Sequence, residues 1–126
     1  MNPAAAIAQS GLAAATLKLN VAAGNIANAN DTSAVGQSGY QPLDVVDSPV
    51  PGGGVSAQAV TAKPASLIVY DPMSPAANAQ GLVLAPEIDP IQEIGLLRTA
   101  HQAFAYSLKA LRASNQDEQT LLDLKT

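Results

Sequence analysis

The chain has 126 residues, with ten acidic and six basic side chains that give a formal charge of −4; this length suits one domain and excludes most multidomain enzymes. The lack of a Lys/Arg cluster argues against nucleic acid as a partner, and the lack of cysteine excludes disulfides, thiol nucleophiles and thiolate metal sites. Because the first basic residue is Lys18 and no apolar run approaches the roughly 18 residues of a membrane span, we expect neither a cleavable signal peptide nor direct membrane insertion.

Residues 1–30 are rich in alanine and are predicted to form an N-terminal assembly helix. Pro3 suits the first turn of that helix, where its missing amide hydrogen is not needed. Apolar residues recur at alternating spacings of three and four residues, which is the pattern of a helical seam. The seam consists of Leu12, Ala15, Leu19, Ala22, Ile26 and Ala29. Half of these side chains are small, so we expect a partner helix to approach closely.

Residues 31–87 are punctuated by proline and glycine and are predicted to form a loop and small β region. Short strand-like fragments occur within this region at residues 43–46, 55–60, 66–70 and 82–84. Turn-forming residues separate the fragments, so we expect a small antiparallel β element or hairpins.

Residues 88–126 are predicted to form a C-terminal assembly helix that starts at Asp89 and Pro90, a suitable N-cap and first helical residue. The predicted seam of this helix consists of Ile94, Leu97, His101, Phe104, Leu108, Leu111, Asn115, Glu118 and Leu122. The helix would be about 54 Å long, which exceeds the diameter of roughly 35 Å expected for a globule of this size. Its apolar side must therefore pack against the N-terminal helix or against neighbouring subunits.

These patterns predict a mostly α fold. The N- and C-terminal helices would form a coiled-coil-like stalk, and the small β and loop region would lie beside it in one structural unit.

Residues with catalytic or ligand-binding potential are few. His101 is the only histidine, and its position on the helical seam indicates a packing or interface residue. Glu87 and Asp89 flank a helix start, where carboxylates favour the helix dipole, so we interpret them as capping residues. Glycines 52–54 lack the spacing of a nucleotide-binding loop, which favours a flexible turn. The sequence predicts no catalytic site, no cofactor and no metal, and the protein is not expected to be an enzyme.

Two motifs resemble those of the bacterial flagellar rod and hook axial proteins, and the resemblance covers nearly the whole chain. Residues 25–28 read Asn-Ile-Ala-Asn, close to the family's Asn-x-Ala-Asn signature. Gly39 and Tyr40 follow after an insertion similar to that of the proximal rod type. Residues 69–89, which begin Val-Tyr-Asp-Pro and end Ile-Asp, look like the segment before the family's C-terminal helix. Phe104 departs from the family pattern, which usually has tyrosine there.

The resemblance implies a structural subunit of the bacterial flagellum, exported by the type III apparatus without a cleavable signal peptide. Such a subunit would lie in the periplasmic rod of the basal body, contact copies of itself and other rod subunits, and transmit torque for motility. The predicted assembly residues are Leu12, Leu19, Asn25, Ile26, Ala27, Asn28, Gly39, Tyr40, Phe104, Leu108, Leu111 and Leu122. Another axial subunit of the same family and a small helical adaptor or binding module remain the alternatives.

Overall fold

Two long helices begin and end the described part of the chain, and five strands lie between them. The computed structural model describes residues 2–125, with helix α1 at Pro3–Ala27 and helix α2 at Pro90–Leu124. The strands are β1 at Ser33–Ala34, β2 at Leu43–Pro49, β3 at Val55–Thr61, β4 at Ser66–Tyr70 and β5 at Leu82–Pro86. Each predicted strand fragment falls within one of the strands β2 to β5, so these four predictions are confirmed.

Each helix starts at a side-chain cap that is followed by a proline. At the start of α1, Asn2 Oδ1 accepts a hydrogen bond from the Ala5 amide at 2.7 Å. At the start of α2, Asp89 Oδ1 accepts one from the Ile91 amide at 3.0 Å. These oxygens satisfy amide groups that have no partner within the first helical turn. The predicted N-cap at Asp89 is confirmed.

The two helices pack side by side in opposite directions. The start of α1 lies beside Ser114 and Glu118 of α2, and its end lies beside Glu93. Midway along the pair, a Cβ atom added to Gly11 would stand 2.8 Å from Ser107 Oγ. The buried apolar residues of the two helices are all alanine: Ala5, Ala8, Ala14, Ala15, Ala22 and Ala100. Small side chains therefore bring the two backbones close together.

Strands β2 and β3 form an antiparallel hairpin that lies along α1. The turn between them approaches the helix at Gly54, whose φ of +100° is a conformation that L side chains rarely adopt. A Cβ atom at Gly54 would also stand 2.5 Å from Ser10 Oγ on α1. The Ser10 hydroxyl is held in place, because it accepts a hydrogen bond from the Val55 amide at 3.1 Å and donates one to the Ile7 carbonyl at 2.7 Å. Both the turn and the close approach require glycine at this position.

The other three strands form an antiparallel sheet in the order β1-β5-β4. The central strand β5 contributes Val83, which is completely buried. Strand β1 follows α1 and β5 precedes α2, so this sheet lies near the end where α1 finishes and α2 begins. Within residues 2–125, none of its strands packs against either helix.

The predicted mostly α fold with a coiled-coil-like stalk is wrong. Helices make up 48% of the chain and strands about 21%, and the strands form two small antiparallel sheets. The prediction placed the middle of the chain beside a helical stalk formed by the two terminal helices. In the structure the β2–β3 hairpin covers one side of α1. Helix α1 therefore packs against this hairpin as well as against α2.

Candidate functional site

A buried asparagine connects three segments where α1 ends and α2 begins. Asn25 is only 1% exposed, and its Nδ2 donates to the Leu43 carbonyl at 2.8 Å and to Glu93 Oε1 at 3.2 Å. Its Oδ1 accepts from the Tyr40 hydroxyl at 3.0 Å and from the Leu43 amide at 3.1 Å. We call these four residues the Asn25 junction. They tie α1, the start of β2 and the first turn of α2 into one unit.

Two members of the Asn25 junction have shifted pKa values. Burial raises the pKa of Glu93, and the charges of Asp44 and Asp89 raise it further, although the hydrogen bond from Asn25 opposes the shift. Burial is also the main reason that the pKa of Tyr40 is raised; a hydrogen bond with Asn28 opposes the shift, and the Glu93 charge adds to it. The Tyr40 hydroxyl therefore stays protonated at physiological pH, and it donates a hydrogen bond to Asn25 Oδ1.

The second asparagine of the Asn-Ile-Ala-Asn motif also acts within the chain. Asn28 is the C-cap of α1, and its Nδ2 donates to the Gly24 carbonyl at 2.8 Å. The same carbonyl accepts from the Asn28 amide at 3.1 Å, so Asn28 is bonded twice to the last turn of α1. Asn28 of the motif thus ends α1, and Asn25 anchors the start of β2 and the first turn of α2 to that helix.

A second polar contact joins the helices at their opposite end. The Asn2 side chain, which caps α1, accepts a hydrogen bond from Ser114 Oγ at 2.8 Å. The Asn2 amide donates to Glu118 Oε1 at 2.9 Å. Hydrogen-bonded side chains therefore fix the alignment of α1 and α2 at both ends.

The face of α2 that contacts α1 differs in part from the predicted seam. Ala100 and Ser114 are buried, and Ser107 meets Gly11. Each lies one position before a predicted seam residue, and His101 is exposed. The apolar pattern favoured the larger side chains, whereas the close packing of the helices selects the small ones beside them.

Helix α2 extends beyond the start of α1. Because the Asn2 amide is bonded to Glu118, the helix continues past its partner from residue 119 to residue 124. We call residues 119–125 the α2 overhang. Its three leucines are largely exposed, with Leu121 at 66%, Leu122 at 65% and Leu124 at 79%. An exposed apolar cluster at the end of a helix is typical of an interaction surface.

An open groove of about 510 Å³ lies between β2 and α2. We call it the β2–α2 groove. Its apolar lining includes Val21 and Ala22 of α1, Val46 of β2 and Leu96 of α2. Both Val46 and Leu96 are about half exposed, so the groove has apolar walls that the chain does not cover.

The predicted assembly residues occupy different environments. Asn25 is buried within the chain, whereas Ala27 and Leu122 are exposed. The half-buried members are Leu12, Leu19, Ile26, Asn28, Gly39, Tyr40, Phe104, Leu108 and Leu111. The structure brings Asn25 and Tyr40 into one junction, and it places Leu122 at the other end of the helix pair. Their roles in assembly remain predictions.

Sequence reasoning missed the contacts that fix the helix pair. Glu93 follows Asp89 in the first turn of α2, and Asn2 directly precedes Pro3, so both positions carried a helix-capping signal. No periodic pattern could pair either residue with its partner on the other helix.

Among residues 2–125, no cluster of His, Cys, Asp and Glu could hold a metal ion. Neither helix of the described chain is long and apolar enough to cross a membrane.

Comparison with known proteins identifies the family, although no family model matches the chain. The flagellar basal-body rod protein FlgC of Salmonella typhimurium is 33% identical over 111 residues, which cover 83% of each chain. The chain belongs to the FlgC family. FlgC of Escherichia coli O6:H1 is 32% identical over 111 residues, again covering 83% of each chain. FlgC of Buchnera aphidicola is 30% identical over 118 residues, which cover 86% of this chain and 85% of that protein.

Membership of the FlgC family confirms the resemblance that the two motifs indicated. The sequence similarity extends well beyond the motifs, because 111 aligned residues are most of a 126-residue chain. In this member of the FlgC family, Asn25 of the motif joins the two helices and the hairpin, and Asn28 caps α1.

Proposed function

We propose that this protein is a structural subunit of the bacterial flagellar rod, the drive shaft of the basal body. The observation that carries the proposal is its similarity to FlgC rod proteins over 83% of their length and of its own. On this proposal the protein acts by assembly and is not an enzyme.

The packing of the helices supports a mechanical role. Small residues bring α1 and α2 into close contact, and hydrogen-bonded side chains fix their alignment at both ends. A close-packed interior resists compression, so such a unit can pass torque to its neighbours without deforming. The exposed leucines of the α2 overhang supply apolar surface for contact with those neighbours.

The proposed partners are copies of the same chain and other rod subunits, with neither nucleic acid nor membrane insertion involved. We further propose that the chain reaches the periplasmic rod through the flagellar type III export apparatus without a cleavable signal peptide. The division into an N-terminal assembly helix (1–30), a middle region (31–87) and a C-terminal assembly helix (88–126) is part of this proposal.

The predicted assembly residues divide into two kinds on this view. Leu122 is exposed and would contact a neighbour directly. Asn25 and Tyr40 would act indirectly, because their hydrogen bonds hold the helices in the arrangement that neighbours recognise.

Imaging of intact basal bodies tests the proposal. A strain that lacks this chain should be non-motile, and complementation should restore both the rod and swimming. Cryo-electron microscopy of the complemented basal bodies should allow the chain to be traced in the rod. Normal swimming by the deletion strain would contradict the rod function, and density at a different level of the rod would favour another axial subunit.

A further inference from the structure

The β2–α2 groove and the α2 overhang are apolar surfaces at opposite ends of α2 that the described part of the chain leaves uncovered. The groove is lined by Val21, Val46 and Leu96, and the overhang exposes Leu121 and Leu124. Each surface alone would be unfavourable in water. Burying one against the other would remove both from solvent.

One copy cannot bring its own overhang into its own groove. The groove borders α2 from Glu93 to Ala103, whereas the overhang begins at residue 119. Eighteen residues of continuous helix separate Ala103 from Leu121, a distance of about 27 Å at 1.5 Å per residue. Contact between the two surfaces must therefore join different molecules.

The dimensions of the two surfaces match. Along α1 the groove extends from Lys18 to the level of Asn25, which is about 10 Å of helix. On the overhanging helix, Asp117, Leu121 and Lys125 are each separated by four residues and so lie on one face over about 12 Å. Two turns of that helix therefore fit the length of the groove.

The charges of the two surfaces favour one direction of insertion. Asp44 and Glu93 stand at the end of the groove near the Asn25 junction, whereas Lys18 at the other end is already paired with Asp47. The face of α2 that carries Leu121 has the acidic Asp117 just before the overhang and the basic Lys125 at its end, whereas Asp123 lies on the opposite face of the helix. Insertion with Lys125 towards Asp44 and Glu93 places opposite charges together and keeps Asp117 away from the acidic end.

We propose that the α2 overhang of one copy docks in the β2–α2 groove of a second copy. This inference rests on the assembly role proposed above and names the surfaces that make the contact. The contact is head-to-tail, because one end of the helix pair binds the opposite end of the next. Such a contact leaves a free groove and a free overhang at the ends of every pair, so copies can be added to form a ring or a helical array.

Cysteine crosslinking tests the proposal directly, because the chain contains no cysteine. The double variant Leu96→Cys/Leu121→Cys would be expressed in the deletion strain and treated with a short bismaleimide before basal bodies are purified. The matched control Ile68→Cys/Leu121→Cys moves the first cysteine to an exposed apolar position on β4, outside the groove. We expect the first variant to form adducts of two or more copies, in multiples of the 12.7 kDa chain, and the control to form none.

The possible outcomes separate the docking proposal from the rod function. Motile cells without Leu96–Leu121 adducts would overturn the docking proposal while leaving the rod function supported. Equal crosslinking in the control, or an adduct with a rod protein of different mass, would also overturn it. Should the double variant be non-motile, purified Leu96→Cys and Leu121→Cys chains would be mixed and crosslinked. A heterodimer in excess of the Ile68→Cys control would support the contact, and its absence would overturn it.

Discussion

Asn25 of α1 donates a hydrogen bond to Glu93 of α2 at 3.2 Å, although the two residues are 68 positions apart in the sequence. The same asparagine also bonds both backbone groups of Leu43. One side chain thus fixes the end of one helix relative to the start of another and to the first residue of the hairpin.

Replacement of Asn25 by alanine should strongly destabilise the protein. The change leaves the Leu43 backbone without its partner and removes the hydrogen bond from the Tyr40 hydroxyl, and each buried unsatisfied group costs about 1–3 kcal/mol. We expect the free energy of unfolding to fall by about 2–4 kcal/mol in urea denaturation followed by circular dichroism. Asn20→Ala is the matched control, because Asn20 is exposed on the same helix. A loss at Asn25 no larger than that at Asn20 would contradict the structural role of the junction.

Gly54→Ala should destabilise the protein more than Gly52→Ala. Both glycines have positive φ, but an added Cβ atom meets Ser10 Oγ only at Gly54 and has no atom within 4 Å at Gly52. The conformational cost is about 1–2 kcal/mol at each site, and we expect about 1–2 kcal/mol more at Gly54 from the collision. The measurement is the difference between their free energies of unfolding. Ser10→Ala in the Gly54→Ala background should recover part of the loss, and equal values for the two glycine variants would contradict the close approach.

The stability of the protein should depend on pH through Glu93. Because folding raises its pKa, the folded protein binds this proton more tightly than the unfolded chain. Its contribution to the free energy of unfolding is therefore fully present below the unfolded pKa and is lost as the pH rises through the raised folded pKa. Glu93→Gln removes this dependence and retains an oxygen that can accept from Asn25.

Urea denaturation of the wild type and of Glu93→Gln at several pH values checks this prediction. The stability of the variant relative to the wild type should increase as the pH rises across that window. We expect a change of no more than about 1 kcal/mol, because Glu93 is partly solvated and its charge interactions are screened. A difference that stays constant or decreases with pH would be the opposite result.

Leu122→Asp should block assembly without unfolding the chain. Leu122 is 65% exposed, so the free energy of unfolding should change by no more than about 0.5 kcal/mol. A charge buried against a neighbouring subunit would be strongly unfavourable, so incorporation into basal bodies and swimming should be lost. Gln119→Asp, also exposed on the overhang, adds the same charge as a control. Normal swimming of the Leu122→Asp strain would show that the overhang is not part of the assembly surface.

Local sequence signals were sufficient to identify four strands, the start of α2 and the family. Short strand-like fragments between turn-forming residues indicated four of the strands, and Asp89 with Pro90 indicated the start of α2. The motif at residues 25–28 and the segment at 69–89 indicated the axial family that the FlgC relatives confirm. These signals are local, because propensity, capping and motif spacing depend on residues close together in the chain.

The packing partner of each element became clear from the three-dimensional structure alone. The hairpin covers α1, so the predicted stalk is not formed, and α2 meets α1 through Ala100, Ser107 and Ser114, which only in part follows the predicted seam. For Asn25, predicted from its motif to be an assembly residue, only the structure shows that its side chain makes four hydrogen bonds within the chain. Hydrophobic periodicity defines a face but not its partner, because the partner depends on the shapes and hydrogen-bonding groups of residues far away in the sequence.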